Sequence, residues 1–215
     1  MTGFSSPNKA THLLAYLKPT FFIDCDAELV RGKALELTRN TKPVTGKAKA
    51  LFYFVRDEIR YNPFSPRSSP EQFQASYTLS KGEGYCVQKA ILLVALARAA
   101  EIPARLGFAK IRNHLISKKL LKIRKTNIFP WHGYAILYIG RRWVKATPMF
   151  DLKLCQEHQI IPVEFDGEHD AMLHPYTSDG RPHIEYLLDC GPYEDVPLDE
   201  IQKASILTKK LGGQI

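Results

Sequence analysis

The segment that most constrains the fold of this chain is the largely apolar run from Val87 to Ala100. Its length and its apolar character predict a helix that is buried on several sides at once. Gly84, Tyr85 and Cys86 come directly before it. Any fold must therefore enclose this helix, and it must place Cys86 where the helix begins.

The position of Cys86 at the helix start is predicted to make its thiol a better nucleophile. Unpaired backbone N–H groups and the positive end of the helix dipole favour the thiolate over the thiol. The thiolate is the nucleophilic form of cysteine. The alternative is a structural cysteine, since free cysteines are often buried as small apolar residues. Catalysis therefore requires a histidine and an orienting group elsewhere in the chain.

Candidates for both partners follow the helix. His132 stands at the entrance of a β-prone segment, Trp131–Ile139, which a hairpin-like turn separates from a second predicted strand, Trp143–Ala146. Asp151 comes after the second strand. A nucleophile at a helix start, a base at a strand end and a carboxylate beyond the neighbouring strand can meet in space to form a catalytic triad.

These residues resemble the signature of the transglutaminase-like superfamily. The resemblance rests on Gly84-Tyr85-Cys86 and on the end of the cysteine helix, which runs from Arg98 to the exit Ile102-Pro103-Ala104-Arg105. It covers about residues 48–151. It implies an α+β fold with a papain-like core, in which N-terminal helices come first and the nucleophile helix packs on an antiparallel sheet. It also implies that Cys86 is the nucleophile and His132 the base.

The sequence departs from the family pattern near the histidine and at the orienting residue. The usual tryptophan follows the histidine, whereas Trp131 precedes His132 here. Thr147 occupies the position of the usual aspartate, and Asp151 is the nearest carboxylate. Asp151 is predicted to orient His132 if the chain bends back after Pro148. The hydroxyl of Thr147 is the alternative, since a neutral group can serve a cysteine–histidine pair.

The length and composition predict one domain over residues 1–215. Its core covers about residues 48–151, and residues 152–215 form a C-terminal extension packed on the same core. The order of elements predicts an α+β arrangement. Helices are expected from Asp24 to about Asn40 and over 46–60, a loop over 63–80, a strand over 104–111, extended segments over 163–167 and 183–188, and a helix near 198–211.

Targeting signals and cofactor motifs are missing from the sequence. The N-terminus lacks a signal-peptide pattern, and no apolar run approaches the roughly 20 residues that span a bilayer. A cytoplasmic protein with no membrane association is therefore expected. The four cysteines and the scattered histidines have no metal-ligand spacing, so reduced thiols, no metal and no cofactor are expected.

Positive charge is concentrated in one insertion between the cysteine helix and the histidine strand. The net charge is +8, and the window 110–128 holds seven basic and no acidic residues: Lys110, Arg112, Lys118, Lys119, Lys122, Arg124 and Lys125. One interpretation is a solvated loop. The other is a basic lip over the site that attracts an acidic substrate or protein partner. Aromatic residues are not interleaved with these charges, which disfavours nucleic acid.

The predicted function is thiol-dependent acyl transfer on amide bonds through Cys86, His132 and Asp151, most simply as a cysteine protease or amidase with a peptide or protein substrate. A protein-glutamine transglutaminase is an alternative, because the acceptor depends on water exclusion and pocket shape. A non-catalytic binding module on the same fold is another, because Thr147 replaces the aspartate. The substrate and the oligomeric state stay open.

Overall fold

The computed structural model describes residues 13–211, with side chains described through Ala204. Within this range the chain forms seven α-helices and six strands. The helices are α1 Glu28–Thr38, α2 Val44–Tyr53, α3 Ala75–Lys81, α4 Cys86–Ala99, α5 Lys118–Arg124, α6 Leu152–His158 and α7 Leu198–Leu211. The strands are β1 Arg60–Tyr61, β2 Glu83–Gly84, β3 Ala104–Asn113, β4 Ile128–Ile139, β5 Arg142–Ala146 and β6 Ile184–Tyr193.

Helix α4 lies at the centre of the molecule. Every residue from Cys86 to Arg98 is buried. The helices α1 and α3 pack on it from one side, and the strand β4 packs on it from the other. This burial on several sides explains why the sequence of α4 is apolar around most of its circumference.

The four long strands form an antiparallel sheet in the order β5-β4-β3-β6. The helices that precede the sheet in the chain cover one of its faces, which confirms the predicted α+β fold. In the register of β3 and β4, Phe108 pairs with Gly133 and Ala109 pairs with His132. The pairing is irregular just beyond Ala109. His132 thus lies beside a bulge, near the beginning of the regular part of the ladder.

A small parallel pairing positions the loop next to the cysteine. Arg60 pairs with Glu83 and Tyr61 pairs with Gly84, so β1 runs alongside the residues that lead into α4. The segment that follows β1 therefore begins beside Cys86. This is the loop that the sequence placed before the cysteine helix.

The end of α2 differs from the predicted continuous helix over 46–60. The helix widens into a π-helical turn over Phe54–Glu58. The buried Lys89 of α4 donates hydrogen bonds from Nζ to the carbonyl oxygens of Arg56 at 3.0 Å and Ile59 at 2.5 Å. A buried ammonium group needs hydrogen-bond acceptors. In a regular α-helix these carbonyls would accept backbone N–H groups, whereas here they accept hydrogen bonds from Lys89.

Other differences are local. Residues 163–167 form no strand, and the basic insertion contains the helix α5 instead of a plain loop. Helix α1 begins at Glu28, and the carboxylate of Asp24 accepts a hydrogen bond from the backbone of Ser76 instead of capping it. Among the residues that the structure describes, none of the helices combines the length and apolar character needed to cross a membrane.

Candidate active site

Cys86 is the first residue of α4, as predicted. Tyr85 before it has an extended backbone and donates its N–H to Oε1 of Gln88 at 3.1 Å. Only 6% of the surface of Cys86 is exposed. The sulfur is therefore held at the helix start, but the site is nearly closed.

The strand of His132 approaches the cysteine through a glycine. A Cβ atom added at Gly133 would lie 2.9 Å from the backbone Cα of Val87, so a larger residue would push β4 away from α4. The backbone N–H of Gly133 also acts on the thiol of Cys86 in the direction that lowers its pKa. The structure thus brings the His132–Gly133 segment directly against the nucleophile candidate.

The protonation of Cys86 differs from the sequence-based expectation. Burial raises the pKa of the thiol above its usual value, although the Gly133 and Val87 N–H groups and the charges of Arg67 and Arg124 act in the opposite direction. In this closed form the desolvation of the thiolate outweighs the helix N-terminus. Cys86 is therefore a thiol at neutral pH.

His132 is fully buried, and burial lowers its pKa to about 3. Neither ring nitrogen has a hydrogen-bond partner in the part of the chain that the structure describes. The imidazole is therefore neutral. Within the described residues, no hydrogen bond joins it to Cys86 or to Asp151.

Asp151 performs a different task from the predicted one. Its Oδ1 accepts the N–H of Leu154 at 2.9 Å, which caps α6, and its Oδ2 accepts the N–H of Tyr61 at 3.0 Å. Its charge also acts on Lys89, whose pKa burial lowers to about 7. The carboxylate thus ties β1 to α6, and among the described residues it makes no hydrogen bond to the imidazole of His132.

Thr147, the alternative orienter, is also engaged elsewhere. It is fully buried, and its hydroxyl donates to Sδ of Met172 at 3.4 Å and interacts with the side chain of Tyr186. The ring of Tyr186 meets that of His132 edge-on, with centroids 6.1 Å apart. One neighbour of the histidine ring, Tyr186, thus comes from the C-terminal extension. The sequence carries no motif that would have identified Met172 or Tyr186.

The loop predicted over residues 63–80 is only partly a loop, because Pro70–Phe73 form a 3-10 turn and Ala75–Lys81 form the helix α3, but its first part lies against the start of α4. The buried Gln88 donates from Nε2 to the carbonyls of Pro66 at 2.9 Å and Gln72 at 2.8 Å, which fixes this loop to the first turn of α4. The guanidinium of Arg67 lies over the ring of Tyr85, 4.1 Å from its centroid. Gln88 stands two residues after Cys86, and that proximity was a usable signal that sequence reasoning missed.

No group of three or more metal-ligating side chains that could hold an ion occurs among the described residues. The cysteines Cys25, Cys86, Cys155 and Cys190 are free thiols. The reactive groups at the start of α4 and in β4 are the thiol of Cys86 and the imidazole of His132.

A cysteine at the start of a buried helix that packs against a histidine-bearing strand is typical of folds that use a thiol nucleophile. The family model of the Transglutaminase-like superfamily matches residues 31–148, which is more than half of the chain. The protein belongs to this superfamily.

Solved structures with the same fold include a candidate cysteine protease from Cytophaga hutchinsonii. It is 23% identical, with a TM-score of 0.50, and the match covers 64% of this chain and 42% of that one. The periplasmic domain of TgpA from Pseudomonas aeruginosa is 18% identical, with a TM-score of 0.48 over 66% of this chain and 48% of that one. The present chain thus spans less than half of each. A search of curated proteins gives no match.

Proposed function

We propose that the protein hydrolyses amide bonds in peptides or proteins, with Cys86 as nucleophile and His132 as general base. The observation that carries this proposal is the close packing of the start of α4 on β4, where Gly133 lies against the backbone of Val87, the residue after Cys86. That packing places the residue after His132 beside the nucleophile. Membership of the transglutaminase-like superfamily supports the same assignment.

The reaction proceeds by covalent catalysis. His132 takes the proton of Cys86, and the sulfur forms a bond to the carbonyl carbon of the substrate amide. The backbone N–H groups at the start of α4 stabilise the oxyanion. The C–N bond breaks, and the imidazolium returns its proton to the leaving amine. Water then attacks the thioester, gives its proton to His132 and releases the acid product and the thiol.

Because the site is closed in the free protein, Cys86 and His132 become active only when a substrate binds. Both groups are neutral in the free protein, because burial raises the pKa of Cys86 and lowers that of His132. A substrate must therefore open the cleft before proton transfer, and it then supplies the polar surroundings that charge separation requires. The acceptor in the second half of the reaction is water in our proposal, and an amine would make the same site a transglutaminase.

A second candidate function is a binding module without catalysis. It is favoured by the ring nitrogens of His132, which have no hydrogen-bond partner among residues 13–204, and by the engagement of Asp151 and Thr147 in other contacts. A module of this kind would use the cleft to hold a peptide and would leave it intact.

A multiplexed peptide library with putrescine as added amine tests the proposal. Wild-type protein is expected to yield shorter peptides with free carboxyl ends, and Cys86→Ala is expected to yield none. Cys190→Ala is the matched control, because it removes a half-buried thiol from β6. Peptidyl-putrescine products would identify a transglutaminase. Intact peptides that nevertheless co-elute with the protein would establish the binding module.

A further inference from the structure

Arg67 lies over the entrance to the cysteine helix. Its Nε donates to the carbonyl of Ser65 at 3.2 Å, and its Nη2 donates to the carbonyl of Pro63. Its guanidinium stacks on the ring of Tyr85, the residue before Cys86. Three contacts thus fix the side chain, although it is exposed to solvent. An arginine held in this way presents its remaining N–H groups in a defined direction.

Arg124 approaches the same place from the basic insertion. It is the last residue of α5, its guanidinium lies over the ring of Phe129 at 4.3 Å from the centroid, and its Nη2 donates to the carbonyl of Ile128 at 3.2 Å. Its Nε is buried, and within the described part of the chain it has no hydrogen-bond partner. A buried guanidinium donor without an acceptor is costly in a folded protein.

The basic insertion is docked against the loop that carries Arg67. The ammonium of Lys119 lies 4.9 Å from the centroid of Phe64, which is exposed in that loop. The helix α5 therefore spans from the loop to the beginning of β4. This contact brings one basic residue of the insertion, Arg124, to the mouth of the site.

The two guanidinium groups act on each other and on Cys86. Burial lowers the pKa of Arg124, and the charge of Arg67 acts in the same direction. The charges of both arginines favour the thiolate of Cys86. No ion pair of Arg67 or Arg124 with a carboxylate occurs among the described residues. Arg67 and Arg124 thus both contribute positive charge to the surroundings of Cys86.

We infer that Arg67 and Arg124 form a carboxylate-binding subsite beside Cys86 and select substrates with a carboxylate next to the scissile amide. This inference rests on the proposed function. A carboxylate can accept paired N–H groups from a guanidinium, and it would relieve the repulsion between the two arginines. It can come from an acidic side chain or from the free C-terminus of a peptide, since the chemistry recognised is the same.

Alkylation of Cys86 by two reagents of similar size tests the subsite without any peptide. Iodoacetate carries a carboxylate, and iodoacetamide is neutral. In each case an S–C bond forms, iodide leaves and the thiol proton goes to the solvent. The measurement is the ratio of the two rate constants at Cys86, followed by mass spectrometry. Arg67→Gln and Arg124→Gln are each expected to lower this ratio by about tenfold, which corresponds to one charge-assisted hydrogen bond.

Arg31→Gln is the control, because Arg31 is exposed on α1 and its replacement removes the same charge. Its ratio should equal that of the wild type. Arg124→Lys keeps the charge without the planar fork and should lie between wild type and Arg124→Gln. Far-UV circular dichroism verifies that each variant is folded. Equal ratios in wild type, Arg67→Gln and Arg124→Gln would overturn the inference.

Matched peptide pairs then separate the two sources of the carboxylate. One pair compares Glu with Gln beside the scissile bond in peptides with amidated ends, and the other compares a free with an amidated C-terminus. A preference for the carboxylate in either pair that disappears in Arg124→Gln supports the inference, and no preference in both pairs contradicts it. Iodoacetate selectivity without cleavage would refute the proposed hydrolysis alone, and cleavage without selectivity would refute the subsite alone.

Discussion

At the scale of single residues, the burial of His132 determines its charge. The unfolded chain binds a proton at this residue below pH about 6.5, whereas the folded protein does so only near pH 3. The unfolded state therefore binds more protons between these values, and stability is lost as the pH falls through this window. The loss should be smaller in His132→Phe. Urea unfolding of both proteins at a series of pH values measures the difference.

The same burial has a spectroscopic consequence. The imidazole Cε1–H resonance of His132 should not shift between pH 8 and pH 5 in the free protein. A midpoint near 6.5 for the resonance that His132→Phe removes would mean that the ring is exposed in solution.

Replacement of Asp151 should affect stability more than chemistry. Asp151→Ala removes the cap of α6 and the acceptor of the Tyr61 N–H, so we expect a loss of about 1–2 kcal/mol in the free energy of unfolding. The kcat/KM of the folded fraction should stay close to that of the wild type. Asp151→Asn retains a capping oxygen and should be milder. A loss of turnover in a stable Asp151→Asn protein would restore the orienting role predicted from the sequence.

At the scale of elements, one side chain couples the loop to the nucleophile helix. Gln88→Leu removes both hydrogen bonds from α4 to the loop, at Pro66 and Gln72. We expect faster amide hydrogen exchange in residues 63–73 and faster alkylation of Cys86 by iodoacetamide, because the loop then opens more often. Gln156→Leu, an exposed position on α6, serves as the control. Unchanged exchange in Gln88→Leu would show that other contacts hold the loop.

The elements that depend on local pattern were predictable, and those that depend on distant contacts were not. The apolar run predicted α4, and the β-prone segments predicted β4 and β5, although β4 begins three residues earlier than predicted, so His132 is its fifth residue. The surroundings of His132 could not be predicted. Tyr186 lies more than fifty residues further along the chain, and its approach depends on how β6 pairs with β3. Likewise, Asp151 was predicted to orient His132 because it is the nearest carboxylate along the chain. In the structure its two oxygens accept hydrogen bonds from the backbone of Leu154 and Tyr61.

At the scale of the whole molecule, Arg98 joins three segments of the chain. Its guanidinium donates to the carbonyls of Lys18 at 2.6 Å, Ala104 at 2.9 Å and Glu194 at 2.8 Å. The single domain predicted from the sequence implies one cooperative unfolding transition, in which tryptophan fluorescence and circular dichroism coincide. Arg98→Leu leaves three acceptors unpaired and should lower the free energy of unfolding by about 2–4 kcal/mol.

Non-coincident transitions in the wild-type protein would show that the C-terminal extension unfolds separately. Arg39→Leu, at an exposed position after α1, controls for the general effect of removing an arginine. Its free energy of unfolding should stay within about 0.5 kcal/mol of the wild type.

The placement of charge gives the molecule a permanent electric dipole. Seven basic residues lie in the window 110–128, and the net charge of the whole chain is +8, so the other residues together are close to neutral. We expect the positive end of the dipole to lie beside Cys86, because α5 docks through Lys119 on Phe64 and the charge of Arg124 acts on the thiol. On an anionic bead or chip the protein should therefore settle with its cleft against the support. Immobilisation through that charge would hide Cys86, whereas attachment at the opposite end would leave it open to solution.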